Sequence, residues 1–479
     1  MRRLFAFCLA FLLVPATWAQ PVSEPGADAP KNVILLIPDG FGPASTTMAR
    51  DYLRWKHGTT QLALDTLERG SVRTFAADSR VTDSAAGATA YSTGTKTNNG
   101  FIAVDSLERP VATLVEAAEA DGMATGLVAT SRLTHATPAT FAAHVPDRWM
   151  ENEIAAQEIS QGIDVLLGGG RRHFVPQRVD GSDRTDDRNL MNEAEANGYQ
   201  VVQDRDALMQ VTEGPVLGLF SMSHMDYEID RSPTEQPSLA EMTRKTLDLV
   251  SQDEDGYFVM IEGSRIDHAG HSNDAAAHLQ DILAFEKAVE VALTQAKKDE
   301  NTLVVTVSDH ETGGMSLGRD IGTDGVYAWK PSVLDTVTAS HGVVLDSIRH
   351  AWEAHSIEPA ANRAEAVDAM EPVLAHFTGI DALKPKEHVL LQESVHNMRA
   401  LNFALAEVIG RRALVGWTTR GHTAVDVKLY AYGPGADRFT GNVDNTYVGT
   451  TLAELLNVDL SAHTQRLRSA REASSTSSR

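Results

Sequence analysis

With 479 residues, 42% of them hydrophobic, the chain is long enough to bury a large core, and one big α/β domain with insertions suits it better than several small ones. Its formal net charge of -23 excludes nucleic-acid binding through a basic face and leaves any anion site dependent on local metal and arginine charge. A single cysteine, Cys8, excludes a disulfide framework.

Arg2 and Arg3 precede an apolar stretch from Leu4 to Val14, and Thr17 and Ala19 offer a small-residue cleavage site. Residues 1–19 therefore read as a secretory signal cleaved near Ala19, too short in its apolar run to span a membrane. The mature chain, without a span and without cysteine, is expected in a bacterial periplasm or outside the cell, held by its core alone. Residues 20–31 follow as a Pro/Gly/Ala linker.

Val33 to Ile37 is an apolar, β-branched strand that ends in Pro38-Asp39-Gly40-Phe41-Gly42. Asp39 stands where this strand opens, and reads equally as a cap for a helix beginning near Ala44. A second strand, Val72 to Ala77, leads to Asp83-Ser84-Ala85 at the start of a small-residue helix. Free N–H groups and the dipole favour an anion there, while an ordinary Ser/Asp N-cap explains Ser84 as well. Gly126 to Ala129 is a third strand, followed by a long loop holding His135, Thr137, His144 and Arg148, with Thr137-Pro138 as a turn before a helix.

Strands near Val165 to Leu167 and Val216 to Phe220 alternate with helices at Met150 to Ile159 and Ser238 to Val250, as in βαβ units. Gly168 to Arg188, rich in Gly, Arg and Asp, reads as surface loop. Tyr257 to Ile261 is a short apolar run suited to a strand buried on both faces, and it delivers Glu262, Asp267, His268 and His271 within ten residues. Asn273 and Asp274 then cap a helix whose stripe of Leu279, Ile282, Phe285, Val289 and Leu293 is core packing.

Leu303 to Val307 is the most strand-like run of the second half and ends in Ser308-Asp309-His310. Adjacent Asp and His at a strand end can ligate one metal, or simply pair with each other in a loop. About 320–415, including a helical run from Glu387 to Gly410, is read as an inserted subdomain over the strand ends. Gly421-His422-Thr423 then precedes a strand at Val427 to Tyr432, and the Ser-rich tail from Ser469, residues 469–479, is expected to be disordered. The fold class is α/β, a three-layer sandwich with a mainly parallel central sheet and helices on both faces. Acidic and imidazole groups collect at its carboxyl edge, where open α/β sheets bind ligands.

Taken together, PDGFG at Pro38 to Gly42, TDSAAGATA at Thr82 to Ala90, HATPATFAAHVPDR at His135 to Arg148, EGSRIDHAGH at Glu262 to His271, SDHETGG at Ser308 to Gly314 and GHTAVDV at Gly421 to Val427 resemble the alkaline phosphatase family over nearly the whole mature chain, from Val33 to about Leu456, with residues 32–468 as the single domain this implies. The resemblance implies an exported enzyme that hydrolyses phosphate monoesters through a phosphoserine on Ser84, with Arg148 as phosphate clamp and Asp83 and His268 beside the substrate. It implies one zinc on Asp267, His271 and His422 and a second on Asp39, Asp309 and His310, with Ser84 as exchangeable ligand. Magnesium would sit on Asp39, Thr137 and Glu262, with His135 behind it. His135 stands where the enterobacterial form has an Asp, and His268 where it has a Lys, which opens the identity of the third metal. The resemblance leaves room for a homodimer.

That chemistry suits these residue types. Phosphoryl transfer asks the protein for positioning and charge stabilisation more than covalent work, and paired cations can hold the attacking and leaving oxygens of an in-line displacement. An arginine fork matches two phosphoryl oxygens, which a lysine does not. A phosphodiesterase would share the metal ligands, a sulfatase would need a modifiable Cys or Ser motif, and a phosphate-binding protein would need neither nucleophile nor zinc.

Overall fold

The computed structural model describes residues 29–232, 234–320, 322 and 327–477. The signal at residues 1–19 and most of the linker lie outside the described residues.

A ten-stranded sheet forms the centre. The strands β1 (Asn32–Ile37), β2 (Glu68–Arg73), β3 (Ala124–Arg132), β4 (Val165–Gly169), β5 (Gln200–Val202), β6 (Val216–Leu219), β7 (Tyr257–Glu262) and β8 (Thr302–Val307) enter in chain order. Across the sheet the order is Gly441–Asp444, β2, Val427–Tyr432, β8, β1, β7, β3, β4, β6, β5. From β8 to β5 every pairing is parallel, and Val427–Tyr432 runs antiparallel to both β8 and β2. The central strands β1, β7 and β8 are buried at every position, as apolar runs covered on both faces must be. Two large apolar clusters lie one on each face: Phe285, Val289 and Leu293 pack with Ile34 and Leu36, while Phe141 and Leu452 pack with Val33 and Leu35.

Several elements fall where the sequence places them. Ser238 caps Leu239–Val250 in a capping box with Glu241, and the Asp274 side chain accepts from Ala276 and Ala277 N–H at the head of the helix Ala275–Asp299. Others move. The second strand is Glu68–Arg73 rather than Val72 to Ala77: its polar first half is tolerated at the sheet's edge region, where Gly70 passes so close to Gly441 that a Cβ would lie 2.1 Å from its carbonyl oxygen. The run Glu387 to Gly410 is two helices, Pro385–Ser394 and Met398–Ala413, parted where the Asn397 side chain caps the second. Thr137 and Pro138 lie inside the helix Ala136–Ala142 and not before it. The stretch Gly168 to Arg188 is only partly surface, since Phe174, His173 and Arg184 are buried.

The C-terminal segment corrects a compositional expectation. The tail from Ser469 is not disordered through its described part; it continues the helix Leu460–Ser477. Thr464 Oγ1 accepts from Ala112 N at 2.9 Å, and Arg468 donates to Pro110 O at 2.8 Å and to Asp105 Oδ2 at 3.0 Å, so tertiary docking supports the helix where Ser-rich composition argues against it.

Among the described residues between His310 and His422, five helices from Pro331–Asp335 to Met398–Ala413 pack on one another and against α1 (Pro43–His57) and Ala275–Asp299. Among the described residues no helix is long and apolar enough to cross a membrane.

Candidate active site

The carboxyl ends of β1, β7 and β8 are adjacent in the sheet, and each releases an acid into the same volume: Asp39, Glu262 and Asp309, all fully buried. After β7 the chain turns at once into the helix Arg265–Ser272, which puts Asp267 and His271 on one face at i and i+4. His271 Nε2 is 3.3 Å from Asp267 Oδ2 and 3.2 Å from His422 Nε2. His422 arrives on a two-residue strand, His422–Thr423, paired with Glu311–Thr312, so the β8 turn and the late chain are tied together.

His310 stands between the two expected ligand sets. Its Nε2 is 3.2 Å from Asp309 Oδ2, 3.5 Å from Asp39 Oδ1 and 3.1 Å from Ser84 Oγ, while its ring stacks on His422 at 3.5 Å between centroids. Among the described residues three groups could each hold a cation: Asp39, Asp309 and His310; Asp267, His310 and His422; and Asp39, His135 and Glu262. The first is the second-zinc set expected from sequence. The second includes two of the expected partners and brings in His310, with His271 alongside. In the third His135 stands where Thr137 was expected, and Thr137 Oγ1 is itself buried without a partner.

The unpaired atoms favour a cation. Both Asp39 carboxylate oxygens, Asp309 Oδ2, Glu262 Oε1 and His135 Nδ1 are buried with no hydrogen-bond partner in a region crowded with acid. Burial, then the charge of Asp309, pushes Asp39 up; burial, then Asp309, pushes Glu262 up to about 8; burial, then Asp267, pushes Asp309 up to about 7. Divalent ions would pair these oxygens and remove the reason for the upward shifts. Asp267 is the exception: against burial, the imidazole of His271 and then that of His422 hold it well below the ordinary range, and it in turn lifts His271 to about 9.

The helix α2 (Ser84–Thr93) brings the hydroxyl to this cluster. Asp83, not Ser84, is its N-cap, accepting from Ala86 N at 2.9 Å, which leaves Ser84 as the first helical residue with its hydroxyl free to face His310. Gly87 lies in the next turn, where a Cβ would come within 3.1 Å of the Asp309 carbonyl. Asp83 Oδ2 also accepts from Gly100 N at 2.9 Å and from Arg148 Nη1 at 3.0 Å, and Arg148 Nη2 donates to His135 Nε2 at 3.2 Å. The guanidinium is thereby aimed, side chain 14% exposed, at the rim of the cluster.

His268 sits beside these residues with Nδ1 accepting from Arg265 Nη1 at 2.9 Å. Its ring is 5.4 Å from His135 and 4.3 Å from His224.

Over residues 30–458 the sequence matches the family model described as alkaline phosphatase. The chain belongs to that family. It is a hydrolase of phosphate monoesters. The repressible alkaline phosphatase of Saccharomyces cerevisiae is 38% identical, with 98% of this chain and 89% of the relative covered. The structure resembles a cold-active alkaline phosphatase from a psychrophilic Shewanella species, with a TM-score of 0.77 at 35% identity over 89% of this chain and 99% of the other. A variant of the TAB5 alkaline phosphatase, solved with Mg bound in its M3 site, superposes with a TM-score of 0.64 at 26% identity over 90% of this chain and 99% of its own. Alkaline phosphatases are metal-dependent, which agrees with the unpaired oxygens.

Within the alkaline phosphatase site, sequence reasoning missed His224. It lies just beyond the carboxyl end of β6, packs against both His135 and His268, and contacts the Arg132 guanidinium through Nε2. Its signal was available: a histidine after an apolar run already read as a strand. Arg132, missed as well, is buried in a pair with Glu151, Nε to Oε2 at 2.6 Å, beneath the histidines.

Proposed function

We propose that the protein is an exported alkaline phosphatase that transfers the phosphoryl group to Ser84 and then to water, with two zinc ions and one magnesium. The observation that supports this best is Ser84 Oγ at 3.1 Å from His310 Nε2, at a helix N-terminus beside buried, unpaired carboxylate oxygens.

Asp39, Asp309 and His310 would hold one zinc beside Ser84, and Asp267, His271 and His422 the other; Asp39, Glu262 and Thr137, with His135 close by, would hold magnesium. Bound there, the cations would lower the pKa of the serine hydroxyl and of water and would neutralise charge on the phosphoryl and leaving oxygens. Ser84 Oγ attacks phosphorus in line; the bond to the alcohol oxygen breaks and the alcohol leaves with a proton. Arg148 grips two phosphoryl oxygens with a fork that Asp83 keeps aligned. Water then attacks the phosphoserine, breaks its P–O bond and returns Ser84 with inorganic phosphate. His268, kept neutral by burial and then by His224 and Arg265, would contact phosphate without adding charge.

Low-pH trapping with labelled phosphate should mark the peptide containing Asp83-Ser84-Ala85, and Ser84→Ala should lose at least about a thousandfold in turnover. A label elsewhere, or full activity without Ser84, refutes the mechanism. Metal analysis of the purified protein tests the stoichiometry. N-terminal sequencing of exported protein tests cleavage near Ala19.

A further inference from the structure

Next to the metal-ligand cluster lies a cavity of about 420 Å³ that the phosphoryl chemistry does not use, lined by Asn273, Phe403, Trp417, Thr418 and Arg420, with the Arg319 and Glu407 pair on its wall. That is room for a small organic group. Arg420 belongs to both places. Its carbonyl oxygen accepts from His271 Nδ1 at 2.6 Å, while its guanidinium lies over the Phe403 ring at 3.1 Å. The same loop is stitched to the β8 turn: Thr418 N and Thr419 N donate to Gly313 O at 3.0 and 3.1 Å, and Gly313 N donates to Gly421 O at 2.9 Å. The cavity is therefore held in register with His271, His310 and His422.

Its charges are not balanced. Arg319 is satisfied by Glu407, with both guanidinium nitrogens at 2.8 and 2.7 Å, and Arg411 Nε reaches the same carboxylate at 2.6 Å. Arg420 makes no ion pair among the described residues, and its charged neighbour is another cation, Arg399, which likewise has no acidic partner there. In a chain with 65 acidic and 42 basic residues, two exposed guanidinium groups that act on each other with no acid paired to either stand out, and an anion from outside would offset a repulsion that water and salt only screen. Trp417 adds an indole N–H that is buried without a partner.

We propose that this cavity receives the alcohol portion of the substrate, and that Arg420, its field reinforced by the charge of Arg399, selects phosphate monoesters whose alcohol carries a second oxyanion, a carboxylate or a further phosphate. The inference rests on the phosphomonoesterase reading, with the leaving oxygen on the side of His271 and His422. The second oxyanion meets the Arg420 fork, and the carbon skeleton lies along Phe403 and Trp417.

The test compares kcat/KM for 3-phosphoglycerate and for 1,3-propanediol bisphosphate with that for glycerol 3-phosphate, in the holoenzyme and in Arg420→Met and Arg399→Met. All three substrates share the reacting centre, so any disturbance of His271 by the Arg420 substitution affects them alike and cancels in the ratio. The native enzyme is expected to prefer one or both of the doubly anionic substrates, through KM. Arg420→Met should lower that preference about tenfold, the scale of one charged hydrogen bond, and Arg399→Met severalfold. Added salt should erode the preference of the native enzyme. A preference that stays within about twofold of native in both variants, or is absent from the native enzyme, overturns the inference while turnover of p-nitrophenyl phosphate leaves the phosphomonoesterase reading standing. Failure to turn over p-nitrophenyl phosphate overturns both.

Discussion

Asp83 Oδ2 accepts from Arg148 Nη1 at 3.0 Å while Oδ1 of the same carboxylate accepts from Ala86 N at 2.9 Å, so one residue fixes both the first turn under Ser84 and the fork opposite it. Asp83→Ala is expected to lower kcat/KM about tenfold to a hundredfold, mainly through KM, because the guanidinium loses its alignment. Loss of the cap should also cost about 1 kcal/mol of stability, whereas Asp83→Asn should keep most of that stability and lose only part of the alignment. Steady-state kinetics with thermal unfolding of both variants separates the two roles.

Removing metal should make stability depend on pH in one direction. Glu262 rises from 4.5 to about 8 and Asp309 from 3.8 to about 7 in the folded protein, and His271 rises from 6.5 to about 9. A raised folded pKa contributes stability that is complete below the unfolded pKa and is lost as pH rises through the folded one. The depressed imidazoles of His135, His268 and His310 act oppositely, but their effect ends near 6.5. Chelated protein should therefore weaken from about pH 6.5 to 9, fastest at first, where Asp309, Glu262 and His271 all still lose stability, and slowest above about 8, where only His271 does, by about 1 kcal/mol per pH unit for each group. Restored zinc and magnesium should flatten the dependence; calorimetry across that range decides it.

His268 is neutral through burial and then the nearness of His224 and Arg265, so a lysine there would change the charge facing phosphate. His268→Lys should tighten inhibition by inorganic phosphate near pH 9 and slow turnover, with product release becoming limiting. The lysine also gives up the acceptor that now takes the Arg265 N–H, so the phosphate effect is measured with metal content confirmed. An unmoved inhibition constant would mean that position 268 never meets the product.

Beneath the histidines, Arg132 and Glu151 are paired with side chains only 6% and 7% exposed. Arg132→Ala strands the carboxylate with His173 and Thr134 as its remaining partners, and is expected to cost about 3 to 5 kcal/mol. Arg132→Met combined with Glu151→Leu should recover most of that loss. Denaturant unfolding of the single and double variants gives the coupling directly.

What the amino-acid order determined by itself is local. Apolar β-branched runs at Val33, Tyr257 and Leu303 specify buried strands because only a covered sheet removes such runs from water. The spacing of Asp267 and His271 suffices to put both on one helical face, and Asp274 or Ser238 before a periodic stretch suffices to start a helix. The strand-end acids and the motifs around Ser84 and Arg148 were readable for the same reason. Tertiary structure decided which of these groups meet. That His310 faces Ser84, Asp39, Asp309 and His422 at once follows from parallel register bringing residues hundreds of positions apart to one edge, which no local pattern encodes. Three further outcomes have the same origin. His224 belongs to the site because β6 lies in the same sheet as β7 and points the same way, Glu68–Arg73 is a strand because Val427–Tyr432 and Gly441–Asp444 pair with it, and the Ser-rich C-terminus is a helix because Thr464 and Arg468 have partners around Asp105 to Ala112. In each case a contact between distant residues outweighs a propensity worth less than about 1 kcal/mol per residue.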